Sequence, residues 1–461
     1  MKFHFSSVNL GCNKNLVDLE FIIGEVLKYS QDYDIQYVEN PEDNETEFVF
    51  INTCGFLSTS REEAENTIKY YNDIGKKIIL IGCYVQVADK IFLNSLNNLY
   101  KIIPFLDYNS VNEILGINTK TSINTDSLKN IGLAAKLGEK KLEAYLDEIK
   151  SSQISKKAFI WKGDEVRAYI NAPYGYEYLK IAEGCDNNCT FCIIPKIRGK
   201  QKSRPIEDII TEAKVMISSG IREIILIAQD TTRYGVDIYG QPKLIELLEE
   251  LEKLDGDFKF RLLYMYPDNI SLSHLAKLKS YKKFIPYFDI PFQHISKNVL
   301  KNMGRYYDTE SIFNFLDYIK SNFQTYFLRT AFIIGFPGES DDDFRELLDF
   351  VKKYKFDGVA LFEYHDEPLA TSSKLPNKIE SKLALSRIKE LDELINQIYD
   401  EKIRNDKGKI FEGIIEGING KNILVRRESR APEIDELDIV NKKQIITKGE
   451  LEIGGSVEFK I

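Results

Sequence analysis

Two periods alternate along this chain. Short apolar runs cover Lys2–Asn9, Phe48–Thr53 and Ile78–Ile81, and each leads into a glycine or polar residue beside a cysteine: Gly11-Cys12, Cys54-Gly55 and Gly82-Cys83. Between them, Leu16–Tyr29 and Arg61–Asn72 carry apolar residues at helical spacing. The order strand, helix, strand, helix, strand predicts a parallel α/β sheet, whose loops after the carboxyl ends of the strands gather on one edge. Cys12, Cys54 and Cys83 are therefore expected to meet although they lie far apart in sequence. Singly, each reads more readily as an inert buried thiol; the repeated placement after successive strands reverses that.

From about Glu177 the pattern becomes regular. Strands are predicted at Glu177–Ala182, Glu223–Ala228, Phe258–Met265, Phe284–Ile290, Phe327–Ile334 and Gly358–Phe362, with helical patterns between them. Pro205–Ser219 places Ile206, Ile209, Ile210, Ala213 and Ile217 on one stripe, with Pro205 suited to the first turn and Gly220 to the stop. Ser340 can cap a helix whose first turn holds Asp341, Asp342 and Asp343. Six strand-helix units imply a partial or full (β/α) barrel, with its chemistry at the carboxyl ends of the strands. A long amphipathic helix, Ile379–Lys402, follows. Short alternating strands at Phe411–Ile415, Asn422–Val425, Asp438–Val440 and Ser456–Ile461 then predict a small antiparallel β barrel.

The expected domains are an α/β domain over 1–116, a linker with an inserted helix over 117–172, a barrel over 173–400 and the terminal β barrel over 401–461. The linker combines a polar stretch, Asn118–Ser127, with a charged helical pattern, Ala134–Lys150, read as a solvated face.

Length and charge narrow the class. The 461 residues suffice for two or three ordinary cores, and no apolar run approaches a membrane span or a secretion signal, so a cytoplasmic protein is expected. Lys plus Arg number 62 against 71 Asp plus Glu, a net charge of -9, which gives no general basic field for nucleic acid. Residues 401–461 hold 12 basic and 12 acidic side chains. Such a neutral module suits a protein surface better than RNA phosphate.

The strongest chemical signal is Cys185-Asp186-Asn187-Asn188-Cys189-Thr190-Phe191-Cys192, directly after the first barrel strand. A structural zinc takes four protein ligands, so a lone triplet fits it poorly. An iron-sulfur cube is usually tied by four cysteines, and three leave one iron open. Buried free thiols or a zinc clip are the plain alternatives. Other strand ends carry further candidates: Gln229 and Asp230, Gln293 and His294, and Gly335-Phe336-Pro337-Gly338-Glu339. Glycines at 335 and 338 permit close backbone approach by a cofactor. Each signal is weak alone, since such a loop is often only a tight turn and a lone histidine is often structural. Phe191 is suited to stacking on adenine or to ordinary packing. No residue is assigned a catalytic acid-base role.

The triplet spacing is similar to the radical S-adenosylmethionine (SAM) signature, in which the open iron chelates the amino and carboxylate groups of SAM and an electron splits it to a 5'-deoxyadenosyl radical. Two three-cysteine sites, an N-terminal α/β domain, a barrel and a small TRAM-like terminal barrel resemble the methylthiotransferases. Within that group the chain resembles the family that modifies ribosomal protein S-twelve, the RimO family. The matching stretches are Asn9-Leu10-Gly11-Cys12-Asn13-Lys14-Asn15-Leu16-Val17-Asp18, Ile181-Ala182-Glu183-Gly184-Cys185, Gln229-Asp230-Thr231-Thr232-Arg233-Tyr234-Gly235 and Ala431-Pro432-Glu433-Ile434-Asp435.

The resemblance implies two 4Fe-4S clusters, a radical SAM cluster on Cys185, Cys189 and Cys192 and an auxiliary one on Cys12, Cys54 and Cys83. It implies SAM as cofactor, with Phe191, Gln229, Gly335 and Gly338 beside it, and an electron donor such as flavodoxin or ferredoxin. The implied reaction replaces a β-carbon hydrogen of an aspartate in ribosomal protein S-twelve by a methylthio group. A tRNA adenosine methylthiotransferase of the MiaB type and a non-catalytic two-cluster electron carrier are the alternatives. Three features depart from the pattern: the long 117–172 linker, Tyr364-His365-Asp366-Glu367 without the usual Gly-Thr, and an end at Ile461 without an acidic, tyrosine-bearing tail.

Overall fold

The structure, a computed structural model, describes residues 2–30, 32–103, 113–116, 167–306, 308–447, 449 and 451–461. The inserted helix expected over 134–150 lies outside them. The chain divides into two compact units. The first comprises Met1–Pro173, Glu177–Asp186 and Ile193–Ile221, and the second Tyr174–Tyr176, Asn187–Cys192 and Arg222–Ile461.

In the first unit, strands β1 (Lys2–Asn9), β2 (Asp34–Tyr37), β3 (Phe48–Thr53), β4 (Lys77–Gly82) and β5 (Leu99–Ile102) form a wholly parallel sheet in the order β2-β1-β3-β4-β5. Helices α1 (Asn13–Leu27) and α2 (Ser58–Asp73) complete the crossovers. The sheet is covered on both faces, which is why its central strands read as continuous apolar runs. Phe48 and Phe50 of β3 join the core with Leu19, Ile22 and Ile23 of α1. Val49 and Ile51 join the other core, with Ala64 and Ile68 of α2. The three strands expected from the pattern are present. The two that pattern did not reveal, β2 and β5, are four-residue edge strands; Ile35 is the only buried residue of β2. An edge strand needs little apolar patterning to pair.

The segment expected as the first barrel strand is interrupted at Ile181. It forms β6 (Tyr176–Lys180) and β7 (Ala182–Glu183), and β7 pairs antiparallel with β8 (Lys202–Ser203). Between β7 and β8 lies the short helix α3 (Ile194–Arg198), and after β8 comes α4 (Ile206–Ser218). Pro205 is the N-cap of α4 rather than part of its first turn, and Gly220 lies just beyond its end at φ +87°.

The second unit alternates β9 (Glu223–Ile227), α5 (Leu244–Lys253), β10 (Lys259–Leu262), α6 (Leu272–Ser280), β11 (Phe284–Asp289), α7 (Lys297–Asn302), α8 (Thr309–Asn322), β12 (Phe327–Ile334), α9 (Asp341–Tyr354) and β13 (Gly358–Glu363). Its strands run parallel in the order β13-β12-β11-β10-β9. Ser340 caps α9 as expected: the Asp343 N–H donates to its hydroxyl at 3.2 Å and its own N–H donates back to the Asp343 carboxylate at 2.8 Å. Helix α10 (Ser381–Asp406) leads to a curled antiparallel sheet of β14 (Ile410–Asn419), β15 (Asn422–Arg427), β16 (Asp438–Asn441) and β17 (Ser456–Lys460), in the order β16-β15-β14-β17 around Ile415, Ile423, Val425, Val440, Val457 and Phe459. This module is anchored by buried charge. Glu223 of β9 accepts from Arg261 of β10 at 2.6 Å and from Arg426 of β15 at 2.9 Å, and Arg261 also donates to the Glu428 carbonyl at 2.8 Å.

Gly82 ends β4 at φ +94°, and a Cβ there would lie 2.4 Å from the Thr53 carbonyl oxygen. With ψ at -167° this backbone lies in a region essentially confined to glycine, which costs another residue about 1–3 kcal/mol, and the contact is with rigid backbone. Gly82→Ala is expected to lower stability by more than about 2 kcal/mol in urea denaturation. A loss below about 0.5 kcal/mol would show that the β3–β4 ends adjust freely.

Candidate active site

Strand order explains why the first three cysteines converge. In a sheet ordered 2-1-3-4-5 the crossovers diverge between β1 and β3, and the crevice at that switch point is where such folds bind ligands. Cys12 follows β1, Cys54 follows β3 and Cys83 follows β4, all on the carboxyl edge. Asn15, one turn into α1, draws the loops together. Its Oδ1 lies 3.7 Å from Cys12 Sγ and 3.5 Å from Cys83 Sγ, and its Nδ2 donates to the Thr53 carbonyl at 2.8 Å. Asn52 donates to the Asn15 carbonyl at 2.7 Å and to Asn9 Oδ1 at 2.8 Å. Gly55 is required by closeness: a Cβ there would come within 2.8 Å of the Cys83 carbonyl oxygen.

The three thiols differ in setting. Cys83 is buried, and burial first, then the neighbouring Cys12 and Cys54, push it up to about 11 against the opposing pull of Arg198. Cys12 caps α1, exposed in area yet ringed by protein on most sides. Loss of solvent works against its thiolate, but Lys14, Arg198 and the N–H groups of Asn15 and Lys14 outweigh this and hold it below its usual value.

Arg198, at the end of α3, is 1% exposed at its side chain and donates from Nε to Cys83 Sγ at 3.2 Å. Its Nη1 bonds Glu183 at 2.7 Å, and its Nη2 bonds Asn15. Lys180 joins Glu183 at 3.0 Å and also bonds Asp18. Desolvation would raise the Glu183 carboxyl, but Arg198 and Lys180 prevail and bring it down to about 2. The sequence motif from Asn9 to Asp18 is thus a scaffold: Asn9 and Asn15 tie the strand ends, and Asp18 holds the cation layer beneath. Arg198, Lys180 and Glu183 were not among the expected site residues. Their signal was charge within apolar surroundings, Arg198 beside Ile197 and Lys180 and Glu183 in a buried strand segment.

Of the second triplet, Cys185 belongs to the first unit and Cys189 and Cys192 to the second. In the first unit, the buried Cys185 donates its N–H to the Gly199 carbonyl at 3.2 Å, and Gly184 at φ +74° leaves no room for a Cβ, which would lie 2.1 Å from the Lys200 carbonyl oxygen. In the second unit, residues 187–192 are pinned by neighbours. The Cys192 N–H donates to the Cys189 carbonyl at 3.1 Å, and Thr190 donates to the Met303 and Asn302 carbonyls at 2.9 and 2.7 Å. Asn187 donates to Asp230 at 2.7 Å, joining the loop to the end of β9 beside Gln229.

The structure brings Phe191 to the glycine loop: its ring stands edge-on to Phe336 at 6.3 Å, with the Arg305 guanidinium 5.9 Å from its centre. Gly335 and Gly338 have φ of +78° and +86°, and their missing side chains make room for Ala384 and Asn302. Those glycines therefore have a packing reason independent of any ligand. His294 is buried beneath the same loop. It accepts the Ser296 N–H at Nδ1, 3.0 Å, and its Nε2 lies 3.8 Å from Glu339, whose carboxylate takes the Gly335 N–H at 2.9 Å and Arg387 at 2.7 Å.

These arrangements find parallels in known proteins. The radical SAM superfamily model matches residues 179–351, and the uncharacterized protein family UPF0004 matches residues 3–102. Three curated relatives extend over nearly the whole chain, each called a ribosomal protein uS12 methylthiotransferase RimO. The Clostridioides difficile protein is 35% identical over 98% of this chain and 96% of its own. That of Clostridium tetani is 35% identical over 98% and 94%, and that of Carboxydothermus hydrogenoformans 36% identical over 96% and 94%. The chain belongs to the RimO family. Among solved structures, the radical SAM methyltransferase TsrM from Kitasatospora setae, with cobalamin and a 4Fe-4S cluster bound, superposes with a TM-score of 0.54 over 81% of this chain and 74% of that one at 12% identity, a likeness of fold.

The donor set fits the family's cofactors. Two triplets account for all six cysteines, and soft thiolate ligands suit iron-sulfur clusters. Among the described residues no group of three His, Cys, Asp or Glu side chains is set to hold a single metal ion. A four-iron cluster is a larger body, gripped one thiol per iron. No helix among the described residues is long and apolar enough to cross a membrane.

Burial pushes His294 down to about 3 from 6.5. The unfolded chain therefore takes up a proton near pH 6.5 that the folded one refuses. His294 costs no stability above that pH and about 1.4 kcal/mol per unit below it, until about pH 3. Between pH 6.5 and 5 the native protein is expected to lose about 2 kcal/mol more stability than His294→Gln in denaturant titrations. Parallel losses would place the imidazole in contact with solvent.

Proposed function

We propose that the chain is a radical SAM methylthiotransferase that replaces a β-carbon hydrogen of an aspartate in ribosomal protein uS12 with a methylthio group. The observation that carries this reading is the convergence of Cys12, Cys54 and Cys83 on one sheet edge, in a chain that carries a second, separately held cysteine triplet and matches uS12-modifying relatives over nearly its full length. In this reading Cys185, Cys189 and Cys192 hold the radical SAM cluster and Cys12, Cys54 and Cys83 the auxiliary one. Bound there, the clusters and SAM supply the radical and the methylthio group, chemistry that side-chain acids and bases cannot perform on an unactivated C–H bond.

The protein's own contribution is positional. Asn15 and Asn52 fix the three strand ends against one another, and Arg198 offsets negative charge at Cys83. Thr190 and Asn187 hold the second loop in a set conformation, and Phe191, Gln229, Gly335 and Gly338 supply surfaces for the adenosine and methionine parts of SAM. Residues 1–116 carry the cysteines of the auxiliary site and 173–400 those of the radical site, with 117–172 as the linker between them. The neutral 401–461 module suits a basic ribosomal protein surface better than phosphate. A flavodoxin- or ferredoxin-like donor provides electrons, and the cytoplasm, where uS12 is made, is the place of action.

The test is anaerobic incubation of the iron- and sulfide-reconstituted protein with reductant, SAM and uS12, or a peptide spanning its aspartate loop. Peptide mass spectrometry should find a gain of about 46 Da, CH3S replacing H, together with 5'-deoxyadenosine. The gain should vanish in Cys12→Ala and in Cys185→Ala. Deoxyadenosine without any mass gain on uS12 would reject the substrate and turn the search to tRNA; no SAM cleavage at all would favour a two-cluster electron carrier.

A further inference from the structure

Arg198 stands six residues after Cys192 in sequence, yet its guanidinium reaches the other triplet. Its Nε donates to Cys83 Sγ at 3.2 Å, and the side chain is 1% exposed. Glu183 at 2.7 Å, Asp18 at 3.6 Å and Asn15 grip the rest of the fork, so that its orientation is fixed from three sides. A group placed only for stability has no need to spend a donor on a sulfur, a weak acceptor, while buried carboxylates lie in reach.

We infer that Arg198 is a positioning residue that sets the reduction potential of the cluster on Cys12, Cys54 and Cys83, an inference that rests on reading that triplet as an iron-sulfur site. An N–H donated to a ligand sulfur draws electron density from the iron-sulfur bond, and a fixed positive charge favours the added electron of the reduced state; both raise the potential. Burial keeps this effect unscreened by water or salt. Lysine cannot reproduce it fully, because a single ammonium cannot serve Cys83, Asn15 and Glu183 at once, as the planar fork does. The segment that follows the radical SAM cysteines would thus carry the electronic control of the auxiliary site.

The experiment uses the full-length protein carrying Cys185→Ala, Cys189→Ala and Cys192→Ala, reconstituted without oxygen so that only the auxiliary cluster remains. Potentiometric titration followed by electron paramagnetic resonance reads its midpoint potential and its g values. Adding Arg198→Gln should move the midpoint to lower potential and alter the spectrum at unchanged iron content, and Arg198→Lys should recover part of the shift. An unmoved midpoint in Arg198→Gln at full iron content overturns the inference alone. If Arg198→Gln takes up no iron, Glu183→Gln gives the readout. It keeps the arginine and all three thiols but removes a neutralising carboxylate, so the midpoint should rise, and no rise overturns the inference. Absence of any cluster with Arg198 intact overturns the reading of the triplet, and the inference with it.

Discussion

Thiols gathered on one sheet edge repel one another as soon as they ionise, and in this protein the neighbours Cys12 and Cys54 add to burial in raising the Cys83 thiol. Much of the first unit can be understood as the answer to that repulsion. Asn15 stands between Cys12 and Cys83, the Arg198 guanidinium touches Cys83, and Glu183 with Lys180 and Asp18 holds the guanidinium in place. Each of these groups is costly to bury alone, and only the complete set removes the cost. The strand ends, the first turn of α1 and the end of α3 are thereby held in one register.

A second buried cluster in the same unit works on the same principle. Arg167 bonds Glu20 of α1 at 2.6 Å, Glu177 of β6 at 3.1 Å and Glu212 of α4 at 2.7 Å, all within the interior. Removal of one partner from such a set typically costs 3–5 kcal/mol, because an uncompensated charge is left behind, while a well-packed apolar replacement of the whole set is often neutral. Its structural effect is to fix which turn of α1 faces β6. In the second unit Glu223, Arg261 and Arg426 play the corresponding part, tying β15 of the terminal module to β9 and β10.

Residue patterns disclosed much of this. The buried central strands, the capped helix α9 and the long α10 carry strong periodic signals because both their faces, or one whole stripe, pack against a core. Strands β2 and β5 were not legible, since a short edge strand is held chiefly by its neighbour's backbone. The interruption of the first barrel strand at Ile181 was hidden for a related reason: Tyr176–Glu183 is buried throughout, and continuous burial gives no sign of where pairing changes. Among site residues, the cysteines declared themselves by spacing and by position after strands. Gly335 and Gly338 were visible as glycines, but their packing partners, Ala384 and Asn302, come from distant segments.

Sequence alone determined the donor types, the two triplets, the class of sheet and, through residues 9–18, 181–185, 229–235 and 431–435, the family, because ligand chemistry and periodicity are local properties of the chain. Tertiary structure decided which strand ends stand side by side and which buried charges compensate one another. The sheet order 2-1-3-4-5 and the approach of Arg198 to Cys83 join residues up to 115 positions apart. Pairing across such distances is settled by the balance between desolvation and Coulomb attraction in the folded interior, and that balance leaves no periodic trace in the sequence.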